Sequence, residues 1–116
     1  NKTDFVATDL KEALEQLLIQ KDMTKSQCIA AANIQRNYGY QIFSGERVPS
    51  RDKLLCLCFA LKLTIEETHQ LLCCSGYADL YAKNKGDSIL LFALQSSLSV
   101  LEVNDLLYEM GEGILV

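Results

Sequence analysis

Turn formers are scarce in this sequence: one proline and six glycines in 116 residues. Many-stranded sheets need frequent turns, so this scarcity argues for helices. Long apolar runs are missing too. The longest uncharged stretch, Ser88 to Leu101, holds Gln95 and four serines and is too short to span a bilayer. No basic segment followed by an apolar run opens the chain, so no secretory signal is expected and a cytoplasmic setting is. The five cysteines (Cys28, Cys56, Cys58, Cys73 and Cys74) are odd in number and contain no Cys-x-x-Cys. An even disulfide framework is thereby excluded, and the usual zinc spacing is absent. Cys56 and Cys58 would lie about 200° apart around a helix and could not close on one ion. All five are expected to be reduced, buried small hydrophobes, with no metal and no cofactor.

What is present is a folding composition, 49% hydrophobic and 22% charged, in a length that suits one core with or without an appendage. The net charge of −4 is unevenly spread. Residues 1–22 sum to −2 and residues 54–116 to −5, whereas residues 23–53 sum to +3 through Lys25, Arg36, Arg47, Arg51 and Lys53. A basic island between acidic flanks suits contact with a polyanion better than the total charge suggests.

Caps and periodicity predict an all-α chain of about seven helices. Asp9 with Glu12 reads as a capping pair, and Leu10, Leu14, Leu17 and Leu18 as the buried stripe of helix 1, from Asp9 to Gln20. Thr24-Lys25-Ser26-Gln27 is a second capping box, opening a short helix 2 through Ala32. Asn33 suits a turn with positive φ. Helix 3 runs from about Arg36 to Ser44 and stops at Gly45. After Pro49, Ser50 caps helix 4, Arg51 to Leu61.

The second half repeats. A shift of 35 residues lays Asp52-Lys53-Leu54-Leu55 on Asp87-Ser88-Ile89-Leu90, Leu63-Thr64-Ile65 on Leu98-Ser99-Val100, Glu67 on Glu102, and Gly76 on Gly111. This is a duplicated helical hairpin whose second copy must pack on the first. Met23-Thr24 echoes the same apolar-then-cap pair but is too thin a likeness to count as a third copy. In helix 7, Val100, Val103, Leu107 and Met110 form a core stripe, and Glu102, Asp105, Glu109 and Glu112 a solvated acidic one.

The stretches Met23-Thr24-Lys25-Ser26, Asn33-Ile34-Gln35-Arg36-Asn37-Tyr38 and Ser44-Gly45-Glu46-Arg47-Val48-Pro49-Ser50 together resemble the lambda-repressor-like, xenobiotic-response-element family of helix-turn-helix proteins. The likeness covers about residues 9–75. It implies a five-helix DNA-binding domain. Beyond that domain, residues 76–116 read as a helical hairpin packed on it, whose surplus of apolar residues suits self-association or a protein partner. In the family helix 3 is the recognition helix. That implies base reading by Arg36, Asn37, Tyr40 and Gln41, and phosphate contacts by Lys25, Arg47 and Ser50. Two positions depart from the family's pattern. Gly39 replaces a branched apolar residue, so alanine there should add up to about 1 kcal/mol of helix stability. Ile29 replaces a small alanine, which predicts a changed spacing between helices 2 and 3.

No catalytic centre is expected. His69 and Cys73 share a helix face at i and i+4, but nothing nearby in sequence plainly orients the imidazole, and a boundary histidine is the natural reading. The expected function is therefore a sequence-specific DNA-binding transcriptional regulator of bacterial or phage type, on double-stranded DNA. The alternative is an adaptor that keeps the fold for protein contacts.

Overall fold

Residues 9–116 are described by the computed structural model, and over them the chain is all-α. Seven helices follow one another: α1 (Leu10–Gln20), α2 (Lys25–Ala32), α3 (Arg36–Ser44), α4 (Arg51–Ala60), α5 (Ile65–Cys74), α6 (Lys85–Gln95) and α7 (Val100–Glu109). Each begins where a side chain accepts a hydrogen bond from a first-turn amide. The acceptors are Asp9, Thr24, Gln35, Ser50, Thr64, Asn84 and Ser99. Thr24 with Gln27, Thr64 with Glu67 and Ser99 with Glu102 form complete capping boxes.

The 35-residue repeat is a repeat of backbone. Lys62 and Ser97, which end α4 and α6, have φ of 56° and 54°; Gly76 and Gly111, which end α5 and α7, have 80° and 78°. After each of the first two, the amide of Leu63 or Leu98 returns to the carbonyl of Cys58 or Ala93. This is a Schellman corner with its apolar residue in place. The corner also occurs between α1 and α2, where Asp22 has φ 54° and the Met23 amide returns to Leu18. The echo at Met23-Thr24 is thus the same corner with the same capping box behind it. Three helical pairs share one corner, and α3 is the helix left outside the scheme.

At the centre lies α4. Every residue from Leu54 to Ala60 is buried, as befits a helix apolar all round. It packs against α2, α5 and α7, while α3 rests on α1 and α2, and α6 on α5 and α7. Lys21, at the end of α1, bonds Glu67 of α5 at 3.0 Å and joins the first pair to the second. Burial alone would raise the Glu67 carboxyl, but the Thr64 amide and the Lys21 ammonium outweigh it and hold it below the usual range. A carboxyl depressed in the folded state stabilises above its unfolded value near pH 4.3 and loses that contribution as pH falls through the lower, folded value. Glu67→Gln keeps a capping amide but not the charge. Acid unfolding of this variant should therefore be less steep below about pH 4 than that of the wild type.

Helix 7 corrects two expectations. It ends at Glu109, so Met110 is its C-cap residue and is exposed, while Glu112 lies beyond the helix, half-buried, 3.8 Å from Lys85. The core place expected of Met110 is supplied instead by Leu115, 7% exposed, from a tail that folds back on α7. Asn104 holds that tail: its Oδ1 accepts from the Leu115 amide at 2.8 Å, and its Nδ2 donates to the Val116 carbonyl at 3.1 Å. Asn104→Ala strands both backbone groups and should cost about 1–3 kcal/mol in urea unfolding.

The cysteines divide. Cys28, Cys56 and Cys58 are core residues, as expected, but Cys73 is exposed and Cys74 half-buried, because the end of α5 turns their face outward. Among the described residues no helix is long and apolar enough to cross a membrane.

Candidate nucleic-acid interface

Helices α2 and α3 are joined by three residues. Asn33 takes φ 59° and ψ 37°, which asparagine tolerates better than most residues, and its amide still reaches the Ala30 carbonyl. Ile34 anchors the turn in the core at 8% exposure, and the Gln35 side chain accepts from the Tyr38 amide at 2.8 Å to start α3. The turn fixes where α3 leaves α2.

The third helix is two-sided. Gly39, Ile42 and Phe43 are buried, whereas Arg36 and Asn37 are exposed and Tyr40 and Gln41 half-buried. Spacings of three and four residues put the first set on one side and the second on the other. The four residues expected to read bases therefore share the outward side of α3.

Gly39 and Ile29 explain one another. A Cβ at position 39 would lie 2.7 Å from both Cγ1 and Cγ2 of Ile29 and 3.0 Å from its Cδ1. Ile29 is itself 3% exposed and fills the space that Gly39 leaves. The two departures from the family's pattern are thus one exchange of size across the α2–α3 contact. The gain expected from Gly39→Ala is reversed in sign, because Ile29 is held by its neighbours and its Cγ2 cannot swing aside on a stiff χ1.

Around this face the polar side chains are engaged with each other. The Arg36 guanidinium lies over the Tyr40 ring, 5.6 Å from its centroid. Arg47, from the loop after α3, donates through Nε to Gln41 Oε1 at 2.9 Å. The Tyr38 ring collects two cations, Arg47 and Lys53, each 5.9 Å from its centroid. Lys25 stands 3.9 Å from Glu15 of α1. The Ser50 hydroxyl accepts from the Lys53 amide at 3.2 Å as the cap of α4, which leaves its proton to donate elsewhere. A shallow notch of about 130 Å³, floored by Ile29 and Ile34, opens beside Arg36 and Tyr40.

One member of the basic island is turned away. Arg51 is half-buried, with Nε on the Ala78 carbonyl at 3.1 Å and a terminal nitrogen 3.2 Å from Asp87 of α6. It ties the third helical pair to the start of α4. Sequence reasoning missed this role, and it also missed Tyr38 as the ring on which Arg47 and Lys53 gather. A tyrosine with basic residues nine and fifteen positions later carries no local signal of that meeting.

The imidazole of His69 is held after all. Asp79, from the segment following α5, places Oδ2 2.6 Å from His69 Nδ1. Ten residues of separation hid the pair from a local reading. Comparison of the chain with family models, with curated proteins and with solved structures gives no match.

Proposed function

We propose that this protein is a sequence-specific DNA-binding regulator that lays α3 in the major groove. The observation that carries the reading is the two-sidedness of α3. Its apolar side is locked to α2 through the Gly39–Ile29 contact, while Arg36, Asn37, Tyr40 and Gln41 line the other. In this reading Arg36 bonds guanine, and Asn37 or Gln41 bonds adenine. Lys25, Arg47 and Ser50 hold phosphates and set the register, with Lys53 beside Arg47 as a further cation. Residues 9–75 form the DNA-binding unit, and a cytoplasmic setting follows from its ligand.

Selection from a random duplex library, at low and at physiological salt, tests the proposal. Enrichment of one motif at both salts supports it. Retention of duplex at low salt with no enriched motif leaves only non-specific polyanion binding.

A second reading, an adaptor without DNA binding, draws on two observations. Gln41 Oε1 is bonded to Arg47 and Lys25 stands beside Glu15, so part of the bonding capacity of this face is already taken within the chain. In the last helical pair, Phe92, Leu101 and Tyr108 are 57%, 63% and 79% exposed. We take residues 76–116 as the contact element under either reading, since exposed apolar side chains in number mark partner surfaces. Light scattering should find the intact chain dimeric and the double variant Phe92→Gln, Leu101→Gln monomeric. A monomeric intact chain removes self-association and leaves a partner of another kind.

A further inference from the structure

Of the five thiols, Cys73 alone is exposed. Burial pushes Cys28 and Cys58 up to about 12 and Cys56 to about 11, and it raises Cys74 as well. Those four are poor nucleophiles. Beside Cys73, one helical turn back, lies His69, with ring nitrogens 3.7 and 3.8 Å from the sulfur. The ring is held through Nδ1 by Asp79. Asp79 Oδ1 accepts from the Leu80 amide at 2.8 Å, which orients the carboxylate, and Oδ2 meets His69 Nδ1 at 2.6 Å. An ionised carboxylate can only accept, so Nδ1 carries the proton and Nε2 keeps a lone pair.

The geometry points to Cys73 as a nucleophilic thiol site for small electrophiles, with His69 receiving its proton and Asp79 positioning the ring. The sulfur is nearly equidistant from the two nitrogens, so the exposed thiol turns onto the Nε2 lone pair before its proton passes there, giving a thiolate beside an imidazolium. The sulfur then attacks an electrophilic carbon. With a haloacetamide, the carbon–sulfur bond forms, the carbon–halogen bond breaks, and halide leaves with its electron pair. The end of α5 offers no help, because carbonyls at a helix C-terminus disfavour a thiolate. Activation has to come from the ring. The segment carrying Asp79 also accepts Arg51 through the Ala78 and Asp79 carbonyls, and Tyr77 donates to the Pro49 carbonyl. Cys73 is thus linked, through His69 and Asp79, to the segment that braces the loop between α3 and α4.

Alkylation of the folded, full chain at neutral pH, mapped residue by residue by mass spectrometry, tests this. Iodoacetamide should modify Cys73 at least about tenfold faster than Cys74 or the three core thiols. His69→Gln should slow Cys73 by about tenfold and Asp79→Asn by a smaller factor. The charged probe iodoacetate adds a readout, taken in His69→Gln and in the double variant His69→Gln, Asp79→Asn, so that an unpaired Asp79 carboxylate cannot mimic the loss of the ring's charge. An imidazolium beside the thiolate attracts it, so the ratio of iodoacetate to iodoacetamide rates should fall in both. Circular dichroism checks that each variant is folded. If His69→Gln unfolds, the same two rates in Asp79→Asn decide. A Cys73 rate and a probe ratio unchanged in a folded variant would overturn the assignment and leave the His69–Asp79 bond as a structural tie.

Discussion

Replacing Gly39 by valine should cost about 1–3 kcal/mol of stability, the usual range for overpacking a filled contact. The loss arises at one neighbour, since the first added carbon already overlaps three atoms of Ile29. Gly39→Ala should lower stability as well, because the gain of roughly 1 kcal/mol in helix propensity is smaller than the cost of displacing a buried, β-branched side chain. Ile29→Ala alone should cost about 2–5 kcal/mol through the cavity it leaves. Combined, Ile29→Ala and Gly39→Val conserve the number of side-chain carbons across the contact. The pair should be more stable than the sum of its parts by about 1–3 kcal/mol, measurable as a double-mutant cycle in urea. Additive losses would show that the two residues do not share one space. The swap matters beyond stability, because this contact sets how far α3 stands from α2.

The second large effect concerns DNA. Arg36→Ala and Gln41→Ala should each lose about 1–3 kcal/mol on the preferred site and relax its sequence at one base pair. Lys25→Ala should weaken every duplex alike and reduce the salt slope by about one unit. Arg47→Ala is more telling than either class alone. It removes a proposed phosphate contact but also releases Gln41 Oε1, to which Arg47 donates. A loss of general affinity with sharper reading by Gln41 is the expected outcome. Fluorescence anisotropy on the selected motif and on a scrambled duplex separates the two terms.

The caps explain why so much of the fold could be read from the sequence. A Ser, Thr, Asp or Asn three residues before its amide partner is a local pattern, and six of the seven helix starts carry one. The repeat was legible for the same reason, since its signals are a cap, an apolar residue and a glycine at fixed spacing. Illegible features depend on meetings between distant residues. Leu115 replaces Met110 in the core because Asn104 holds a returning tail. Arg51 leaves the basic island because Asp87 and two carbonyls of the 78–79 segment receive it. Gly39 looked like a weakness because helix propensity is local, whereas the residue that requires the glycine is on another helix. In the candidate site, the four positions on the outward side of α3 were implied by the resemblance to the helix-turn-helix family, and their exposure agrees with the helical period. The pairing of Arg47 with Gln41, and of Arg47 and Lys53 with Tyr38, did not.

The outward side of α3 is proposed to read bases. Parallel library selections with the wild-type chain and with the folded Arg36→Ala variant, at physiological salt, test it most directly. One enriched motif is expected for the wild type, and the same motif with one position turned degenerate for the variant. An identical motif from both proteins, or no motif from the wild type, would contradict it.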